Sequence, residues 1–227
     1  MNAEEEIAAL RAQVAELSHR TGVLEDIQSI RTLHFKYGYY MDRWLFDEIV
    51  DLFAEDCELY FLNGIFKGKH GARRMYGSGM GIHGPTYGVL TDHLHLQDIV
   101  DVAPDRMSAR GRFRCFLMGG VHETRPERTP IPNQFWEGGV YENTYVKENG
   151  IWKIKVFNYN LVWQAEYEKG WAHTAKKLLM VSPYAETYPD DPRGPDALKP
   201  GPFQFWPDIF VIPFHYPHPV TGEISGS

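Results

Sequence analysis

A chain of 227 residues suits one domain with appendages, since a domain typically takes about 100–200 residues, and 43% hydrophobic with 23% charged residues is ordinary for a globular protein. The formal net charge of −7 argues against the basic stripe that a nucleic-acid or anionic-membrane surface requires, so neither is expected as a partner. The aromatic fraction of 14% is the one high value, and it points to a flat apolar ligand or to stacked interfaces.

In chain order, Ile7, Leu10, Val14 and Leu17 recur at spacings of three and four, a heptad seam that Leu24 continues after a break at Thr21-Gly22. Residues 1–22 are therefore read as an oligomerisation helix, or as a helix laid on its own domain. From Asp26, the residues Ile27, Ile30, Leu33, Tyr37 and Tyr40 form one apolar face of a helix that ends near Asp42. Ile49, Leu52 and Phe53 give a second helix its apolar face, and Glu55-Asp56 breaks it. Cys57 to Leu62 reads as a strand turning at Asn63-Gly64, and Ile65-Phe66 begins the return. Gly71 to Met80 has a helical pattern containing Arg73 and Arg74, read as surface charge, and a glycine-rich loop runs from Gly77 to Gly88.

A meander of strands follows. Thr91–Val102, Met107–Met118, Gly139–Lys147 and Ile151–Val162 alternate, with a loop from Glu123 to Gly138 between the second and third. Trp163 to Met180 can form a further helix, and residues 23–180 make the main domain. Residues 181–227 are rich in proline yet carry many aromatics, which describes an extended arm packed on the domain or on a neighbouring subunit, with a lid as the alternative. Helices first and antiparallel strands after mean an α+β fold. Cys57 and Cys115 are too few and too far apart for a disulfide framework and read as buried thiols. The first residues are acidic where a signal peptide is basic, and no run has the length of a bilayer span; a cytoplasmic location is expected.

The Tyr37-Gly38-Tyr39-Tyr40-Met41-Asp42-Arg43-Trp44 helix end, the Asp51-Leu52-Phe53-Ala54-Glu55-Asp56-Cys57-Glu58 element and Gly64-Ile65-Phe66-Lys67-Gly68 resemble the SnoaL-like group of the nuclear transport factor 2-like superfamily, which includes scytalone dehydratase. The resemblance extends through His93-Leu94-His95-Leu96-Gln97-Asp98-Ile99 to Trp152-Lys153-Ile154-Lys155-Val156, covering about residues 25–165. It implies a cone: a strongly curved antiparallel sheet wrapped around helices, with a deep pocket between. It also implies cofactor-free acid–base chemistry in those members that are enzymes, and a homo-oligomer, with a trimer favoured. Within the group, the high aromatic content and the arm incline the reading towards a lyase acting on a diaryl, lignin-derived phenol, with loss of formaldehyde or water. A non-catalytic dioxygenase subunit and a ketosteroid isomerase-like enzyme are the alternatives.

The resemblance places a pocket aspartate after a tyrosine at this helix end, which Tyr40-Met41-Asp42 matches, and a catalytic histidine on the strand that holds His93 and His95, where His95 is the better match. Asp42 and His95 are the expected acid–base pair with Tyr40 beside them; the alternative for Asp42 is a capping carboxylate. His93 and His95 share a strand face, and no further ligand stands at metal-site spacing, so no metal is expected. On the last strand Lys153 and Lys155 should face out, turning Trp152, Ile154, Val156, Asn158 and Asn160 inward; the resemblance places a substrate-contacting asparagine here, matched first by Asn158 and then by Asn160. Tyr37, Trp44, Tyr60 and Phe61 are expected to wall the site. Arg110, Arg112 and Arg114 share an opposite, solvated or inter-subunit face.

Overall fold

The computed structural model describes residues 2–77, 84–125, 132 and 134–224. It opens with one helix, α1, running unbroken from Ala3 to Met41. Asn2 caps it, accepting from the Glu5 amide while Glu5 returns a bond to the Asn2 amide, and Glu4, Glu5 and Glu6 lie at the positive end of the helix dipole. No break occurs at Thr21-Gly22. Gly22 is a notch: a Cβ there would lie 2.0 Å from the Arg106 guanidinium, which crosses the helix to bond Asp26. The buried face of α1 runs Gly22, Asp26, Ile30, His34, Tyr37, Gly38, so His34 takes the core position that periodicity assigns to Leu33. The heptad residues Ile7 to Leu24 are not laid on the domain; all five are exposed.

Trp44, with φ 57°, turns the chain into α2, Phe46–Asp51. This helix is shorter than expected, because Phe53 already begins strand β1, Phe53–Phe61. The hairpin to β2, Gly64–Lys67, pairs Phe61 with Gly64, so its turn residues are Leu62 and Asn63, one position earlier than expected. Helix α3 spans Gly68–Gly77. It starts three residues before the expected Gly71; residues 78–83, including Met80, lie outside the described residues. Its Arg74 is buried, not surface charge, and holds Asp196 at 2.6 Å.

Four long strands follow: β3 Val89–Val102, β4 Ser108–Val121, β5 Gln134–Glu148 and β6 Ile151–Glu166. β5 starts five residues earlier than expected, inside the stretch read as loop; residues 126–131 and 133 of that stretch lie outside the described residues. β6 consumes the start of the expected Trp163–Met180 helix, leaving only α4, Gly170–His173, and an irregular run to Met180. The last strand, β7, is Ala197–Leu198.

The sheet order is β3-β4-β5-β6-β1-β2-β7, unclosed, with antiparallel neighbours except the parallel pair β1 and β6. This is the expected α+β cone. Its core lies between the sheet and the helices, where Ile30, Ile49, Phe53, Leu59, Phe66 and Phe113 are fully buried. Asp26 fastens α1 to the sheet by accepting from Arg106 Nε at 2.6 Å, Lys147 Nζ at 2.5 Å and Trp152 Nε1 at 3.0 Å. Arg31 pairs with Asp98 farther along.

Two bulges in β6 decide which side chains face the core. Tyr145 pairs with Ile154 and Thr144 with Val156, leaving Lys155 unpaired; Gly138 pairs with Trp163 and Gly139 with Leu161, leaving Val162 unpaired. Each extra residue reverses the alternation. Trp152 and Ile154 face in as expected, but beyond Lys155 the inward residues become Phe157, Tyr159 and Leu161. Asn158 and Asn160 therefore occupy the opposite face.

The arm packs on its own domain. Asn63 exchanges two hydrogen bonds with the Tyr184 backbone, and the Lys67 amide donates to Asp196 at 2.7 Å. Farther on, Arg112 donates to the carbonyls of Ile212 and Pro213 and lies 4.3 Å from the Phe214 ring centroid. Arg112 is thus covered by the arm, while Arg110 and Arg114 are exposed. No helix among the described residues is long and apolar enough to cross a membrane.

Candidate active site

Inside the cone lies a chamber of about 140 Å³. Tyr37 and Met41 of α1 form one wall and Met75 and Tyr76 of α3 another; Tyr141, Phe157, Tyr159 and Leu161 of the sheet face them. Trp44, Phe46 and Phe61 stand with Met180, Val181 and Tyr184, so the beginning of the arm lines the chamber too. Its polar side chains among the described residues are His93, Glu137 and the tyrosines, with no Lys or Arg beside them.

Asp42 caps the C-terminus of α1, where its own amide donates to the Gly38 carbonyl at 2.9 Å. Its Oδ1 faces β3 and accepts twice from His93: from the backbone amide at 2.9 Å and from ring Nδ1 at 2.7 Å. Because a carboxylate only accepts, this contact places a His93 proton on Nδ1 and turns Nε2 away from Asp42. Both side chains are 11% exposed. A groove of about 320 Å³ passes over Asp42, His93 and His95 from outside, so His93 borders the chamber on one side and this groove on the other.

His95 shares the strand face of His93, with ring centroids 6.5 Å apart, but bonds elsewhere. Its Nδ1 meets His34 Nε2 at 2.8 Å, and its ring stacks on Tyr141 at 5.2 Å. Asn143 donates to the Tyr145 hydroxyl, which lies 3.2 Å from His34 Nδ1, and His34 is joined in turn to His95. Burial, reinforced by the neighbouring His95, holds His34 well below its ordinary pKa; burial and the nearby His93 press His95 down to about 3. Both are neutral imidazoles at neutral pH. The structure thus joins Asp42 to His93 and joins His95 to His34.

The buried carboxyl of the chamber is Glu137 on β5, 6% exposed. Tyr159 donates to its Oε1 at 2.5 Å and Gln164 to its Oε2 at 2.5 Å. The Val162 bulge keeps Gln164 opposite Glu137 on the inner face. Burial pushes the Glu137 pKa up, partly offset by these two donors and by His93. Glu137 was not singled out in the sequence because its strand was begun at Gly139. Extending the alternation two residues back would have shown a lone acid among Phe135, Tyr141 and Tyr145.

Of the other expected residues, Tyr37, Trp44 and Phe61 line the chamber. Tyr40 packs half-buried against the core. Tyr60 points away, donating to Glu58 at 2.7 Å beneath the Lys199 ammonium. Asn160 donates to the Val140 carbonyl at 3.3 Å, and the Asn158 backbone amide donates to Asn143 Oδ1 at 3.0 Å. Neither asparagine lines the chamber. No group of three His, Cys, Asp or Glu side chains among the described residues is arranged to hold a metal ion.

A SnoaL-like domain model matches residues 22–158. The chain belongs to the SnoaL-like family. Among solved structures it is similar to a protein of Novosphingobium aromaticivorans DSM 12444 provisionally assigned as a scytalone dehydratase, at 23% identity and a TM-score of 0.50, covering 63% of this chain and 89% of that one. LinA matches at 16% identity and a TM-score of 0.53, covering 70% and 99%. A type 3 LinA, the hexachlorocyclohexane dehydrochlorinase of Novosphingobium barchaimii LL02, matches at 16% and 0.50, covering 70% and 97%. At these identities the likeness is one of fold. A search of curated proteins returns no match.

Proposed function

We propose that this SnoaL-like protein is a cofactor-independent lyase acting on a neutral aromatic substrate, with His93 as the base, Asp42 as its positioning partner and Glu137 as the acid. The carrying observation is the Asp42–His93 pair at the edge of an aromatic chamber that also contains a buried carboxyl. Asp42 fixes the tautomer and balances the imidazolium that forms once Nε2 takes a proton. In water loss, His93 removes a proton from carbon, those electrons form the double bond, and the departing hydroxide takes the Glu137 proton and leaves as water. In formaldehyde loss, the benzylic hydroxyl first leaves as water with the Glu137 proton while the phenol gives up its own proton to solvent, forming a quinone methide; His93 then deprotonates the primary hydroxyl, the adjoining carbon–carbon bond breaks to release formaldehyde, and its electron pair restores the aromatic ring as a phenolate. Tyr37, Tyr141 and Tyr159 present ring faces and hydroxyls to a phenol. The aromatic walls, with no Lys or Arg among the described lining residues, support a neutral diaryl, lignin-derived substrate over an anionic one. That the fold also occurs in a protein named as a dehydrochlorinase is compatible with elimination.

The test is mass spectrometry of products from purified protein and phenolic diaryl diols. Loss of water or formaldehyde supports the proposal; an isobaric product or no turnover of any diol tried counts against it. A positioned base or acid typically contributes about 10²–10⁴-fold, so His93→Ala and Glu137→Gln should each lower kcat by that order. Loss of turnover in His95→Ala with full turnover in His93→Ala would transfer the base role to His95.

A further inference from the structure

The first part of α1 carries an apolar stripe that the rest of the chain leaves uncovered. Ile7, Leu10, Val14, Leu17 and Leu24 are between 49% and 67% exposed. With Thr21 they fill alternating a and d positions of a heptad, with β-branched Ile7, Val14 and Thr21 at a and leucines at every d. That distribution is the one favouring two parallel strands. The orientation of the helix agrees. Gly22 and Asp26, which face the chain's own sheet, occupy heptad positions b and f, on the side away from the a and d residues. Helix formation has already been nucleated, because Ile30, His34 and Tyr37 fix the same helix in the core.

We propose that this stripe docks against the same stripe of a second copy, as a parallel, in-register two-stranded coiled coil. The flanking charges select both occupant and direction. In a parallel pair, g positions face the e positions of the following heptad in the partner, which sets Glu6 against Arg11 and Arg20 against Glu25, with Gln13 against Ser18 between them. An antiparallel pair that keeps the same six layers sets Arg11 against Ser18, Arg20 against Gln13 and Glu4 against Glu25. Only the parallel arrangement pairs opposite charges without opposing like ones. Glu6, Arg11 and Arg20 make no ion pair within the chain among the described residues. With b and f turned to their own sheets, the two cones lie on opposite sides of the coil and do not compete for the seam.

The experiment uses the full chain. Light scattering after gel filtration should give twice 26.2 kDa, and Leu10→Glu combined with Leu17→Glu should halve that mass while far-UV circular dichroism of the cone is retained. Leu17→Cys, at a d position, should form a disulfide-linked dimer under mild oxidation, whereas His19→Cys, at f, should not; the native Cys57 and Cys115 are buried. A monomer or a three-chain mass overturns the proposal. So does a dimer whose mass survives both glutamates, or equal cross-linking at residues 17 and 19.

Discussion

Asp26 offers a sharp test of how α1 is held to the sheet. Burial by itself would push this carboxyl's pKa up, but hydrogen bonds from Arg106, Lys147 and Trp152 more than reverse that and lower it from 3.8 to about 2. A fall of just under two pH units, at about 1.36 kcal/mol each, means that ionised Asp26 stabilises the fold by about 2.5 kcal/mol. The folded pKa lies below the unfolded one, so this contribution is complete above the unfolded value and is lost as the pH falls through about 2. Asp26→Asn keeps the shape and removes the charge. Near neutral pH it should cost about 2–4 kcal/mol, since the half-buried cations Arg106 and Lys147 lose their counter-charge, and lower Tm by roughly 5–12 °C for a chain of this size. Urea titrations of both proteins from neutral pH down to about pH 2.5 would show the gap narrowing as the acid limb is approached. A gap that stays constant over that range, or one below about 0.5 kcal/mol throughout, would refute the assignment of the clamp to the Asp26 charge.

Two other perturbations bear on the site itself. Gly38→Ala would place a Cβ 2.6 Å from the His95 ring, which His34 and Tyr141 hold in place; instead of the usual gain of about 1 kcal/mol for this change inside a helix, chemical denaturation should show a loss of about 1–2 kcal/mol, reversing to a gain in a His95→Ala background. Glu137 has a folded pKa above its unfolded one, so the stability it contributes is complete at acid pH and disappears as the pH rises; Glu137→Gln should therefore gain stability relative to the parent on going from about pH 4 to about pH 8, and calorimetry showing the opposite trend would disprove that the carboxyl is disfavoured as an anion.

Much of the architecture could be read from local pattern. The presence and order of the long strands β3 to β6 and the apolar face around Ile30 and Tyr37 each follow from one strand or one helix considered alone. What escaped was decided by contacts distant in sequence. Gly22 looks like a helix break until Arg106, brought over from the β3–β4 turn, fills the space its missing side chain leaves. Arg74 looks like surface charge until Asp196, on the arm, reaches it at 2.6 Å. Propensity describes the residue, and the partner decides its burial.

The composition of the site turns on two residues that touch no substrate in any reading. Without the extra Lys155, strict alternation from Trp152 would put Asn158 and Asn160 into the chamber and send Phe157 and Tyr159 outside; without Val162, Gln164 would leave the face of Glu137. One unpaired residue thus converts an amide-lined wall into an aromatic one, and the next supplies the donor that steadies a buried carboxyl. Neither Lys155 nor Val162 is a glycine or a proline, and only the second bulge has a glycine pair, Gly138-Gly139, across from it. The residues opposite were the readable sign: Tyr141, Tyr145 and Glu137 alternate without interruption on β5, and a partner strand must shift its own phase to keep apolar side chains facing them. The same phase relation, applied across strands rather than along one, puts Glu137 on the inner face with Tyr141 and Tyr159 and leaves Asn158 and Asn160 on the other. It also makes the aromatic lining of the chamber a consequence of sheet register.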